Sequence, residues 1–430
     1  MTLFGLPEAH VTRLVAGVRP QPPGDIDRDV AGELFARAAW TGISEPGDGA
    51  AGLLVACLGP CAALTAVLDG WPPDELARRV RESAGAAAGD TPDDDELAGI
   101  LAQGQQRWRP RLSSVELIRS LEQAQRAGAR LLGPDDALWP APLDDLGVHA
   151  PLALWWRGLP AALLAVPQSI ALVGARAATG YGEHVAMEAS AGLVDRGFAI
   201  VSGAAYGIDG MAHRAALASD GITVAFLAGG VDRFYPSGHD ALLGRIAEKG
   251  VVASELQCGA APTKWRFLQR NRLIAAASAA TVVLEAGWRS GSLNTAGHAS
   301  ALGRPLGAVP GPVTSPTSAG CHRLIREYDA VCVTTAAEMA ELVGPRSIPV
   351  ALDLPDSLRG SESADDRRTG AGRTSDQIRV FDALSTRTPR PVGDIARRSG
   401  LSRGAVQGAL GGLDLEGVVR ERDSGWCRVS

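Results

Sequence analysis

The sequence predicts an α/β protein: an extended Rossmann-like, doubly wound parallel sheet between an N-terminal helical domain and a C-terminal winged-helix domain. Three observations carry that expectation. From about residue 167, six short β-branched or apolar runs alternate with helix-length stretches. The residues before them are rich in Ala and Leu at helical spacing. The residues after a polar, Pro/Gly/Ser-rich stretch hold three short helical patterns and a hairpin signal. A chain of 430 residues has room for two to three domains, and the boundaries read as 1–130, 131–342, a flexible linker over 343–372, and 373–430.

In the first domain the spacing predicts helices over 30–39, 53–68, 74–81 and 115–127, separated by loops such as EPGDG and GDTPDDD. In the second, strands are expected at IALVG (170–174), FAIVSG (198–203), TVAFLAGG (223–230), VVASE (251–255), TVVLEAG (281–287) and PLGAVPG (305–311). Helices are expected between them over 183–196, 210–218, 239–249, 267–280 and 294–302. Continuous apolar runs, without polar alternation, belong to strands buried on both faces. Right-handed crossovers then bring every strand's C-terminal loop to one edge of the sheet, where such folds bind ligands. After the linker, helices over 375–384, 391–400 and 403–416 and a hairpin in GVVRERDSGWCRVS give the winged-helix pattern. Ten arginines there against seven carboxylates make this domain mildly basic, which suits DNA, a protein partner or an ordinary solvated surface.

The formal net charge of −6 argues against a protein coated in basic surface, though a local Lys/Arg cluster is what nucleic acid requires. The start MTLFGLPEAH lacks the basic and apolar regions of a signal peptide, and no window holds the ~18 apolar residues of a membrane helix. The six cysteines are scattered; Cys57 and Cys61, four apart in an apolar run, are expected on one face of a buried helix rather than at a metal. A cytoplasmic, reduced protein with no metal, cofactor or membrane contact follows as the expectation.

Five of the six expected strands end in a loop of small residues: Gly174 and Arg176 after the first, Ser202 and Gly203 after the second, Ala228-Gly-Gly after the third. Ser290, Gly291 and Ser292 follow the fifth strand and Pro310-Gly311 the sixth. Glycine lets backbone N–H groups approach a phosphate, and a following helix start adds partial positive charge. One such loop is only a tight turn; five on one edge point to an anion-binding surface. The first loop, GARAATGYG, is neither GxGxxG nor a P-loop, so dinucleotide and ATP binding are not supported. Arg176 beside it can hold a phosphate bidentately, against the plainer reading of a surface salt bridge.

The segment KWRFLQRNR (264–272) is the most informative in the chain. It sets Lys264, Arg266, Arg270 and Arg272 among Trp265, Phe267 and Asn271, between an extended stretch after Pro262 and a helix start. Cations serve phosphates, and an aromatic ring stacks on an unpaired base. Cations at a helix N-terminus oppose its dipole, so an anionic ligand supplies a reason for them. Catalytic sets are poorer. Asp209 and His213, spaced i,i+4 on a helix, fit a surface or capping pair, and Glu255, Glu285 and His298 lie on separate segments.

As a set these residues resemble the DprA/Smf family, recombination mediators known from natural transformation. The matching stretches run in family order over about 138–330: LWPAPLDDL, PLALWWRG, VGARAATGYG, SGAAYGIDGMAH, GGVDRFYPSGH, FLQRNRLIA, EAGWRSGSLNTAGHA, GRPLGAVPG and GCHRLI. The resemblance implies an extended Rossmann fold without enzymatic turnover, sequence-independent binding of single-stranded DNA, homodimerisation, and delivery of the strand to the RecA recombinase. Single-strand-binding protein is a further partner it suggests. By motif position it places DNA contacts at Arg176, Lys264, Phe267, Arg270, Asn271 and Arg272, with Gly174, Ser202, Gly203, Ser290, Gly291 and Ser292 beside them. Tyr206 stands where the family commonly has a basic residue, and Leu268 where it has Pro. Two other classes compete. Lysine-decarboxylase-like nucleotide hydrolases resemble the fold, but their PGGxGTxxE reads RSGSLNTAGH here, without the Glu. A transcriptional regulator would use the winged helix on a palindromic site.

Overall fold

A computed structural model describes residues 3–19, 26–84, 93–344, 373–422 and 424–429. Most of the expected linker, 345–372, lies outside the described residues. The chain divides into two compact units, one from Gln123–Pro262 and Arg266–Pro355, the other from Met1–Glu122, Thr263–Trp265 and Asp356–Ser430.

The first of these units is built on a nine-stranded sheet. Its strands are β1 (Arg130–Leu132), β2 (Leu154–Gly158), β3 (Ser169–Gly174), β4 (Ala199–Ser202), β5 (Thr223–Phe226), β6 (Val251–Ser254), β7 (Ala280–Glu285), β8 (Leu306–Ala308) and β9 (Val331–Cys332). The order is β1-β2-β6-β5-β4-β3-β7-β8-β9. From β6 to β9 all neighbours are parallel, while β2 runs antiparallel to β6 and β1 to β2. The six expected strands are β3 to β8; β1, β2 and β9 add an antiparallel rim on one side and one more parallel strand on the other. Helices Gly180–Val194, Ile208–Ala218, Asp240–Lys249, Lys264–Ala277 and Ser292–Ala301 make the crossovers.

β-branched and Ala residues dominate the central strands because both faces are covered. Ile170, Leu172, Ile200 and Val282 face one helical layer, while Ala171, Val173, Val201, Phe226 and Val283 face the other, all of them buried. Burying one such Val, Leu, Ile or Phe contributes roughly 1.5–3 kcal/mol. The chain proceeds outward from β3 through β4 to β6, then returns to the far side of β3 as β7. That reversal opens a crevice at the carboxyl ends of β3, β4 and β7.

The other unit holds helices Glu8–Ala16, Arg28–Ile43, Gly49–Leu58, Pro60–Leu68, Pro73–Ala84, Asp94–Trp108 and Ser114–Ala127 up to its boundary at Glu122, together with the winged helix. The single helix expected over 53–68 is two, bent by 114° at Gly59. Gly59 has φ +78°, and Pro60 starts the second helix where its missing N–H costs nothing. Cys57 and Cys61 therefore sit on different helices, and the shared buried face expected of them does not exist; both are half-buried. Among the described residues no single helix is long and apolar enough to cross a membrane.

The winged helix consists of Ser375–Ala383, Val392–Ser399 and Arg403–Leu415 with the hairpin Val419–Arg422 and Gly425–Arg428. Val380, Ile395, Leu410 and Leu413 fill its core. Within the same unit Arg111 pairs with Glu45, both nearly buried, and donates from Nε to the carbonyl of Arg397 at 2.8 Å.

Candidate nucleic-acid interface

Helix Lys264–Ala277 begins at Lys264, three residues before the expected start, so the whole cationic segment is helical. Lys264 is exposed, and its backbone N–H donates to Asp382 Oδ2 at 2.9 Å. Trp265 lies under the guanidinium of Arg379, 5.2 Å from the ring centroid. Beyond Gln269 the helix is buried on every side, from Arg270 through Ala277.

Phe267 is the centre of the sheet-edge cluster. The exposed Arg176, from the loop after β3, holds its guanidinium 5.0 Å from the Phe267 ring, and that of Arg270 lies 5.8 Å away. Tyr235, 52% exposed, tilts against the same ring at 5.6 Å between centroids. Cations over a ring face are attracted to its quadrupole, and such a cluster offers both π-surface and positive charge.

The remaining cations have protein partners. Arg270 is 5% exposed; its Nη1 donates to the Gly203 carbonyl at 2.7 Å and also to the Phe226 carbonyl, tying the ends of β4 and β5. Burial holds its pKa down to about 10, although the nearby Asp209 carboxylate opposes that fall. A Cβ on Gly203 would lie 2.3 Å from Arg270 Nη1, so the glycine is there to admit a guanidinium rather than a phosphate. Arg272 is buried and pairs with Glu255 Oε1 at 2.5 Å. Arg266 donates from Nη1 to the Ala261 carbonyl at 2.8 Å.

Asn271, also buried, donates from Nδ2 to the Gly291 carbonyl at 3.4 Å and to Asn294 Oδ1 at 3.2 Å. It thereby fastens the loop after β7, where the Ser290 and Ser292 hydroxyls are 2.8 Å apart. Gly291 is exposed, with open space where a side chain would stand. Ser202 points into the core, donating to the Leu172 carbonyl at 2.6 Å. Gly174 ends β3, in register with Glu285 of β7.

The structure thus brings Arg176, Phe267, Arg270 and Gly203 into one cluster and Asn271 together with Ser290–Ser292. It withdraws Ser202, Arg270 and Arg272 from the surface. The surface pairing expected for Asp209 and His213 is also corrected, since both are buried. Asp209 accepts from the Gly203 N–H at 3.1 Å, and burial raises its pKa against the opposing pull of Arg270. His213 meets Thr223 Oγ1 at 2.7 Å, and burial holds its pKa down to about 3. Tyr235 was missed by sequence reasoning: only the packing of FYPSGH against the helix distinguishes it from any loop aromatic. The Tyr206 and His239 rings meet in a T-shaped contact, 4.9 Å between centroids, and the Tyr206 hydroxyl accepts from the Gly238 N–H at 3.3 Å.

A doubly wound sheet with a cation-and-aromatic cluster at its switch point, joined in one chain to a winged helix, defines a DNA-handling protein of the Rossmann-like class. The family model described as DNA recombination-mediator protein A matches residues 130–344, and that of the DprA winged helix domain matches residues 364–425. The chain belongs to the DNA recombination-mediator protein A (DprA) family, a family of DNA-processing, DNA-binding recombination proteins. It is 44% identical over 383 residues to a DNA processing protein DprA of Mycobacterium tuberculosis H37Rv, covering 85% of this chain and 90% of that protein. It is 35% identical over 269 residues to Protein Smf of Escherichia coli K12, covering 60% of this chain and 67% of that protein. The X-ray structure of DprA from Streptococcus pneumoniae is similar with a TM-score of 0.56 and 26% identity, covering 74% of this chain and 99% of that one.

Proposed function

We propose that this protein binds single-stranded DNA without regard to sequence and without turnover, in the cytoplasm, protecting the strand and loading RecA onto it for recombination. The observation that carries the reading is the Phe267 cluster. A half-buried ring beside an exposed tyrosine and an exposed arginine offers one stacking surface and one phosphate contact, the two parts that non-specific single-strand binding combines. Lys264, called a DNA contact by motif position, is itself exposed and stays in the proposal as a separate phosphate contact. Family membership supports the recombination role. Homodimerisation is part of the proposal, with the region of β7 and β8 as its surface, and single-strand-binding protein is a further candidate partner. The competing reading, a nucleoside monophosphate hydrolase, finds no support in the buried pairing of Asp209, Glu255 and His213.

Filter binding against labelled oligonucleotides tests the proposal. Micromolar or tighter affinity for single strands is expected, weakening steeply with salt. Equal affinity for duplex, or release of free base from AMP, would sink it.

A further inference from the structure

We infer that Glu285 is a positioning residue for DNA binding: it anchors, through both its backbone and its side chain, the loop that presents Arg176. The inference rests on the reading in which Arg176 meets a phosphate, and adds the element that makes that contact effective.

The loop 175–179 leaves β3 at the switch point and has no regular structure of its own until helix Gly180–Val194 begins. A free loop of that kind would hold Arg176 in many orientations, and each ordered rotamer-rich side chain costs ~0.5–1.5 kcal/mol on binding. Glu285, the last residue of β7, removes that freedom at both ends. Its carbonyl accepts from the Ala175 N–H at 2.7 Å, while Ile208 N–H donates to the Ala175 carbonyl at 3.2 Å. Its carboxylate accepts from the Thr179 N–H at 2.9 Å and from the Thr179 hydroxyl at 2.6 Å. Thr179 Oγ1 in turn accepts from Gly182 N–H at 3.2 Å, capping the helix.

The site is built for this carboxylate. Glu285 is 2% exposed, and a Cβ on Gly182 would stand 2.2 Å from its Oε2, so the helix is notched to receive it. A buried carboxylate beside an anion-binding edge opposes phosphate by charge. Its presence is explained if its two charge-assisted bonds to Thr179 matter more than that repulsion. Glu285 touches no ligand in this account; it acts through Thr179 on Arg176.

The test is fluorescence anisotropy of the full chain with labelled oligothymidylate across a salt series. Glu285→Asp retains the charge but withdraws the carboxylate by one methylene, and Glu285→Gln retains the reach but has one acceptor oxygen for the two Thr179 donors. Glu285→Asp is expected to weaken binding about tenfold, as Arg176→Ala does. It should also lower the salt slope by about 0.7, the share of one phosphate on a single strand. The double variant should bind no worse than Arg176→Ala alone, and Glu285→Gln, with one of the two Thr179 bonds kept, should fall between Glu285→Asp and the wild type. Thr179→Val, which removes the hydroxyl half of the same link, covers the case in which Glu285→Asp fails to fold; Thr179→Ser should be silent. Additive losses with Arg176→Ala, or a wild-type salt slope in both Glu285→Asp and Thr179→Val, overturn the inference while leaving single-strand binding intact. Absence of binding by the wild type overturns the proposed function itself, and the positioning role with it.

Discussion

Arg270 belongs to the segment that motif position marks as DNA-binding, yet its replacement by Ala is expected to act first on stability. The side chain is 5% exposed and spends its donors on the Gly203 and Phe226 carbonyls, with the buried Asp209 carboxylate close by. Removing it leaves two carbonyls short of a donor and Asp209 without its compensating charge. Leaving a buried charge without its compensating neighbour costs about 3–5 kcal/mol. For a unit of this size each kcal/mol moves Tm by about 2–4 °C, so Arg270→Ala should lower it by about 6–20 °C in differential scanning calorimetry. The deficit should depend on pH. Asp209 already has a raised pKa in the folded state, so its contribution is present below the ordinary 3.8 and lost as pH rises through the raised value. Without Arg270 that value rises further. The gap between variant and wild type should therefore narrow as pH falls from 7.5 towards 4. A variant that keeps its Tm within about 2 °C while losing DNA affinity would refute this reasoning, since Arg270 would then be serving the ligand.

Phe267→Ala should cost about 1–3 kcal/mol of single-strand affinity with little change in Tm, checked by anisotropy and calorimetry together; unchanged affinity removes the stacking role. His213 is buried with its pKa held down to about 3, so the stability it contributes is present above 6.5 and lost as pH falls towards 3. The slope is about 1.4 kcal/mol per pH unit in that window. His213→Gln should flatten the acid limb of an unfolding-versus-pH curve, and an unchanged limb assigns it to other groups.

The central sheet was legible because its strands are continuous apolar runs closed by small-residue loops, and β3 to β8 fall where those runs lie. The rim was not. β1 has three residues and β9 two, too short for any period to show, and LWWRG, which forms β2, shows no alternation that marks it as a strand. Helices Glu8–Ala16 and Asp94–Trp108 are not among those the spacing predicts, and the single helix expected over 53–68 runs through Gly59-Pro60, two residue types that announce a break. At the site, the residues were legible and their directions were not. Helix Lys264–Ala277 is buried all round beyond Gln269, so no periodicity separates a cation facing solvent from one facing carbonyls. In the sequence Arg270 and Arg272 cannot be told from the exposed Lys264, although both are buried. Their partners, Gly203, Phe226 and Glu255, come from three other strand ends, and only the topology brings them near.

The buried Arg111–Glu45 pair and the Arg397 carbonyl that Arg111 reaches place an order on the protein's manufacture. Arg397 is made 286 residues after Arg111, a delay of about 15–60 s at usual rates of synthesis. Throughout that interval the helices at the start of the chain exist without the segment that completes their unit, while the sheet-bearing unit emerges between them. The winged helix thus closes the unit that the helices before residue 122 begin. A gene cut short before the winged helix would leave that closing step undone and the Arg111 face of the first helices open to water.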